Sequence, residues 1–289
     1  MKRYLMLLII FHSFCLAQAQ KVVEPSSEMH PEWSRSYPPF KIVGNLYYIG
    51  TADLACYLII TSKGNILINT GLASSSTLIK ENIEALGFKL SDTKILLTTQ
   101  AHYDHLGAMA EIKKATGAKL MVDYADAQVV ADGGLSDYDH DGKVRLFKPV
   151  KVERVLRNAD VITLGEMKLT ILHHPGHTKG SCSYLFDVRD KIRKYRVLIA
   201  NMPTIVTKKN FADIPAYPNI AKDYAYTLNA MKHLKFDLWV ASHGIQFDLT
   251  EKRKLGSAYN PKAFMDKKNY YDQINDLQKE YDQKKAGRP

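Results

Sequence analysis

KILLTTQAHYDHLGA, residues 94–108, decides how the chain is to be read. Its first six residues, Lys94 to Thr99, read as a short buried strand, with Ile95, Leu96 and Leu97 apolar and Ile95, Thr98 and Thr99 β-branched. Immediately after the strand come Gln100, His102, Asp104 and His105, four side chains with oxygen or nitrogen donors within six positions. Leu106 to Thr116 then predicts a helix, stopped by Gly117. A strand that empties into a donor-rich loop and then a helix is where α/β folds gather ligand sites.

Two other stretches repeat the arrangement. His177 lies in HHPGHTKGS, 72 residues after His105, and His243 lies in WVASHG, 66 residues further on. Each sits at the end of a predicted strand with glycine beside it, which lets backbone come close to a compact site. Zinc takes nitrogen, sulfur or oxygen donors, usually four, and a catalytic site leaves one position to water. One short loop cannot turn His102, Asp104 and His105 all onto one ion, so His102 serves one side and Asp104 with His105 another. With His177 and His243 there are donors enough for two ions, which together can clamp a water and a substrate oxygen. His173 and His174 read as ordinary strand-end histidines. Ser181 has no base beside it in sequence and is not read as a nucleophile.

Outward from these stretches the pattern alternates. Strands are predicted over 45–50, 55–61 and 65–69, the last two joined by a turn at Ser62-Lys63-Gly64. A helix follows over 74–88, with Leu78, Ile79, Ile83 and Leu86 on one face. Further strands fall at 119–122, 161–164, 168–172, 182–188, 196–200 and 236–241. Helices fall at 126–131, 223–234 and 261–284. This order predicts two sheets packed face to face with helices outside, in one α/β domain over 20–289. Residues 20–40, rich in Pro and Ser, read as an irregular arm.

The first nineteen residues carry Lys2 and Arg3, an apolar run to about Leu16, and Ala17-Gln18-Ala19, which together read as a secretory signal peptide cleaved after Ala19. The run is shorter than the ~20 residues a membrane span needs, so no stable membrane insertion is expected. Export places the mature chain in the periplasm or outside the cell. Loss of Lys2 and Arg3 takes the formal charge from +10 to +8. The basic residues are scattered and not interleaved with aromatics, which excludes a nucleic-acid stripe and leaves a field that favours small anions. Cys56 and Cys182 remain after cleavage, and the sequence leaves open whether they are bridged or free.

GNLYYIG, the NTG at 69–71, QAHYDH, HHPGHTKGSCS, RVLIANMP and WVASHGIQFD together resemble the metallo-β-lactamase superfamily, nearly end to end after the signal peptide, and within it the third subclass, B3. Gln100 is similar to the GOB-type enzymes, in which glutamine replaces the first histidine. The resemblance implies the four-layered αβ/βα sandwich. It implies a first zinc site of Gln100, His102 and His177 and a second of Asp104, His105 and His243, holding one or two Zn²⁺. It implies hydrolysis of the ring amide of penicillins, cephalosporins and carbapenems by metal-bound hydroxide, and so antibiotic resistance. Asp104 would orient the nucleophile or relay a proton. Thr204 matches a serine position that binds the substrate carboxylate. The substrate is thus a small β-lactam, and the chain is expected to act as a monomer.

Two features depart from the subclass: Gln100 offers a neutral amide oxygen, a poorer zinc donor than imidazole, and Met202 stands where serine is common. The rival on the same fold is a lactonase, phosphodiesterase or glyoxalase-like thioesterase, which place a metal-bridging aspartate after the strand RVLIA, where this chain has Met202. A rival of another kind is a secreted zinc-binding protein without catalysis.

Overall fold

The alternation of side chains along β5 (Thr93–Leu97) sets the layering. Ile95 and Leu97 point into a core between two sheets, and Leu96 points the other way into a second core. Neighbouring β4 (Gly64–Ile68) does the same, with Ile66 and Ile68 inward and Leu67 outward. Strands buried on both faces lose the polar alternation of a surface sheet, which is why Ile95-Leu96-Leu97 reads as a continuous apolar run. This is seen in a computed structural model of the chain that describes residues 21–140 and 142–287. The expected signal peptide lies outside the described residues.

The first sheet has seven strands in sequence order: β1 (Phe40–Val43), β2 (Leu46–Tyr48), β3 (Tyr57–Thr61), β4, β5, β6 (Lys119–Asp123) and β7 (Arg154–Leu156). Its first four strands pair antiparallel, and β4 to β7 pair parallel. Helices α1 (Ser75–Ala85), α3 (Met109–Thr116) and α4 (Ala127–Asp132) cover its outer face through Ile79, Ile83, Ile112 and Val130. The second sheet runs in the order β12 (Leu238–Ala241), β11 (Lys194–Ala200), β10 (Cys182–Arg189), β9 (Met167–His173), β8 (Val161–Leu164). Helices α5 (Ile220–Lys232) and α6 (Lys267–Lys285) lie outside it, and Tyr270 of α6 donates to the Met231 carbonyl of α5 at 3.0 Å. The four layers are those of the metallo-β-lactamase fold.

Differences from the sequence expectation have local causes. β1 is an added strand, joined to β2 by Gly44-Asn45, where Gly44 takes φ +55° as such a two-residue turn requires. β7 is a three-residue edge strand with exposed Arg154 and Val155, too short and polar to signal. The single helix expected over 106–116 is two: α2 (Tyr103–Leu106) and α3. They part at Gly107, whose N–H reaches the Gly71 carbonyl at 2.9 Å and where a Cβ would stand 2.3 Å from the Ala73 nitrogen. The closing helix starts at Lys267 rather than 261, capped by the Asp266 carboxylate, which accepts from the Asn269 N–H at 3.1 Å; a 3-10 turn at Pro261–Phe264 precedes it. Cys56 and Cys182 are both buried free thiols.

Candidate metal centre

The parallel strands of both sheets end on one edge of the sandwich. The end of β5 is tied across the layers: the Cys182 N–H donates to the Thr99 carbonyl at 2.8 Å, and Ser242 Oγ to Thr99 Oγ1 at 2.9 Å. Asn69, at the end of β4 with φ +62°, accepts from the Thr99 N–H at 2.9 Å. The loop beginning at Gln100 therefore leaves a turn held from three strands. Asp126 holds the loop beyond that turn. Its carboxylate accepts from the Ala101 N–H at 3.0 Å, the Gly180 N–H at 2.7 Å and the Thr178 hydroxyl at 2.6 Å. One buried carboxylate thus ties the Gln100–His105 loop to the His177 loop. Gly180 is glycine because a Cβ there would lie 2.4 Å from the Asp126 nitrogen.

The donors fall into two groups. His102 Nδ1 faces His177 Nε2 at 3.1 Å. Asp104 Oδ2 lies 3.2 Å from His105 Nε2 and 3.4 Å from His243 Nε2. Two donors each about 2.0–2.1 Å from a tetrahedral zinc stand about 3.3 Å apart, so both groups are spaced for one cation each. Gln100 is 2% exposed, and its Oε1 is buried without a hydrogen-bond partner. Such an orphaned acceptor costs about 1–3 kcal/mol unless something meets it; a cation does. Gln100, His102, Asp104, His177 and His243 line one cleft of about 460 Å³, and His105 is buried directly behind Asp104.

Each imidazole but one is oriented from behind. His177 Nδ1 donates to the Thr204 carbonyl at 2.8 Å, with Thr204 Oγ1 at 3.0 Å, which leaves Nε2 bare toward His102. His243 Nδ1 donates to Asp53 Oδ2 at 2.8 Å, leaving Nε2 toward Asp104. His102 Nε2 lies 3.2 Å from Asp137 Oδ2, an ionic contact bent away from hydrogen-bond alignment. Histidine–carboxylate pairs of this kind fix the tautomer and raise the basicity of the donor nitrogen. No such partner serves His105 Nδ1 among the described residues.

In the donor set taken by itself, burial disfavours the His243 imidazolium, but Asp104 and Asp53 outweigh it and hold the group up to about 9. Burial likewise opposes the His102 cation, and Asp137 lifts it to about 9. Burial and then the adjacent His102 push His177 down to about 3. Asp104 stays well below the usual carboxylate range, against burial, because His105 and His243 stand beside it.

Asp53, Asp126 and Asp137 were not singled out in the sequence. Asp53 precedes β3 by several residues and Asp137 sits in a polar loop, so no periodicity or spacing flags either. Trp33 of the N-terminal arm is a further addition. Its Nε1 donates to Asp53 Oδ2 at 3.1 Å, and its ring lies 5.8 Å from the His243 ring at the cleft wall. Thr204 also lines the cleft. His173 pairs with Asp123 at 2.8 Å and His174 with Ser183 at 2.8 Å; neither lines it. Ser181 Oγ accepts from the Thr178 N–H at 2.8 Å and is fully buried.

Known proteins share this architecture. The chain matches the Metallo-beta-lactamase superfamily over residues 53–190. It is 63% identical to the class B3 di-zinc metallo-beta-lactamase LRA-12 from an Alaskan soil metagenome, over 91% of this chain and 99% of that one, with a TM-score of 0.90. It is 57% identical to the metallo-beta-lactamase GOB-18 from Elizabethkingia meningoseptica, over 92% and 98% of the two chains, with a TM-score of 0.90. A hydroxyacylglutathione hydrolase of Bradyrhizobium sp. is 31% identical over 109 residues, 38% of this chain and 34% of that protein. The chain thus spans about a third of the length of that curated relative, whereas it covers almost the whole length of the two lactamases. The chain belongs to the class B3 metallo-β-lactamases.

Proposed function

We propose that the chain hydrolyses the ring amide of β-lactam antibiotics with one or two zinc ions, held by Gln100, His102 and His177 and by Asp104, His105 and His243. The observation that carries this is the convergence of the two donor groups, at tetrahedral spacing, on one cleft. Zinc supplies Lewis acidity there, polarising a carbonyl and bringing the pKa of a water down to about 7.

The rest is done by the chain. Asp104, anionic although buried, faces the cleft and can take and relay the proton that must move from water to the departing ring nitrogen. Thr204 lines the cleft and is the residue assigned to bind the substrate carboxylate. Trp33, Val206 and Ile245 give an apolar rim that packs against ring substituents and excludes water. The thioesterase-type reading is disfavoured because Met202, buried after β11, stands where a bridging carboxylate would be needed.

We also place the mature protein, from residue 20, in the periplasm or outside the cell, on the basis of the leader-like sequence of residues 1–19, and propose that it acts as a monomer. Among the described residues no helix is long and apolar enough to cross a membrane.

The test is ring opening of a penicillin, a cephalosporin and a carbapenem, followed by ultraviolet absorbance, with zinc and after chelation. Turnover lost on chelation and restored by zinc is expected, with Asp104→Ala lowering kcat by orders of magnitude. Zinc bound without turnover of any of the three would leave a binding protein; turnover that survives full chelation would overturn the metal reading.

A further inference from the structure

The two donor groups are unequal in charge. The second contains the Asp104 carboxylate, while Gln100, His102 and His177 offer only neutral donors, one of them a weak amide. A first site built this way needs compensation, and the loop after α4 offers it. Asp137 is 7% exposed, and its Oδ2 lies 3.2 Å from His102 Nε2. Neither atom has an aligned hydrogen-bond partner among the described residues, so the two face each other as an ionic contact. Asp137 Oδ1 accepts from the Asp139 N–H at 3.0 Å, which fixes the carboxylate. The next residue, Tyr138, donates its hydroxyl to the His177 carbonyl at 2.9 Å. Two consecutive residues therefore hold His102 by its ring and His177 by its backbone.

We infer that Asp137 is the positioning residue of the first zinc site: its carboxylate holds the proton on His102 Nε2, turns Nδ1 toward the cation and raises the basicity of that nitrogen, offsetting the neutral Gln100. It touches neither metal nor substrate. This rests on the zinc reading of the site, extended to a residue outside both donor sets. Removing a carboxylate behind a ligating histidine weakens metal binding by about 10–100-fold. Because Gln100 leaves the site with little affinity in reserve, that loss falls on occupancy of the first site.

The experiment is a competitive zinc titration of the mature chain against a chelating indicator, with Asp137→Asn, Asp137→Glu, Gln100→His and the double variant Gln100→His/Asp137→Asn. Gln100→His marks which binding step belongs to the first site, because that step tightens. Asp137→Asn, isosteric and able to keep the Asp139 cap, should weaken the same step about 10–100-fold and leave the other step unchanged. Asp137→Glu should recover part of the loss, and the double variant most of it. The visible spectrum of the cobalt-substituted protein should lose only the first-site component. Equal weakening of both steps, or a lowered unfolding midpoint of the zinc-free variant with unchanged first-site affinity, would make Asp137 a purely structural residue and overturn the inference. A wild type that binds no zinc would instead defeat the reading on which it rests.

Discussion

Asp53 accepts from His243 Nδ1 at 2.8 Å, and the same carboxylate oxygen accepts from Trp33 Nε1 at 3.1 Å. Its other oxygen accepts from the Ile245 N–H at 2.8 Å. Burial opposes ionisation of Asp53, yet the hydrogen bond and charge of His243 win and keep its pKa below the usual value. One side chain thus joins the N-terminal arm, the His243 loop and the second donor group. Asp53→Ala should cost the second site about 10–100-fold in zinc affinity. The check is zinc per chain after dialysis at limiting metal. Full retention of second-site zinc would show that His243 orients without it.

Gln100 carries the second prediction. An amide oxygen is a weaker zinc donor than imidazole, so Gln100→His should raise zinc content per chain when metal is limiting. Metal analysis after equilibration with a chelator of known affinity reads this directly. Unchanged stoichiometry would remove Gln100 from the donor set and leave its unpartnered Oε1 without an account.

How much of this was legible in the sequence depends on the distance over which each signal acts. The run KILLTT gave away β5 because burial on both faces imposes a local apolar pattern. His102, Asp104, His105, His177 and His243 were legible because donor residues at strand ends are themselves chemical signals. The structure brings these five to one edge, together with Gln100. Asp53, Asp126 and Asp137 were not legible. Each is an ordinary carboxylate outside the strands, and its role exists only through partners 20 to 190 residues away. The break at Gly107 was missed because the steric demand comes from Ala73, in another loop. Helical periodicity over 106–116 contains no trace of it.

Trp33 is the third. Its ring is 6.3 Å from the Tyr103 ring and 5.8 Å from the His243 ring, stacked on His30 at 4.3 Å. The arm expected to be irregular therefore forms one wall of the cleft. Trp33→Ala removes apolar contact available to substrate without touching a donor. KM should rise roughly three- to tenfold, equivalent to about 1 kcal/mol of lost contact, with kcat little changed. The chain's other tryptophan, Trp239, is fully buried, so fluorescence change on zinc or substrate binding should disappear in this variant. A fall in kcat with KM unchanged would assign Trp33 to the orientation of Asp53 instead.

Asp126 sets up a prediction about pH. Burial raises its carboxyl to about 6 from an ordinary 3.8, despite the hydrogen bond from Thr178. Because the folded value lies above the unfolded one, the folded chain holds a proton between about pH 4 and 6 that the unfolded chain has released. Stability contributed through this group is therefore present at low pH and is lost as pH rises through 6. A shift of this size corresponds to at most about 3 kcal/mol. Asp126→Asn cannot titrate, and its single acceptor oxygen cannot serve all three donors, from Ala101, Thr178 and Gly180. The wild type should be the more stable of the two throughout, and its advantage should be larger at pH 4.5 than at pH 7.5. Urea unfolding midpoints of the chelator-treated proteins at the two pH values measure this. An advantage that grows as pH rises would mean that the hydrogen bonds to the ionised carboxylate outweigh its burial, and that Asp126 joins the two ligand loops as an anion.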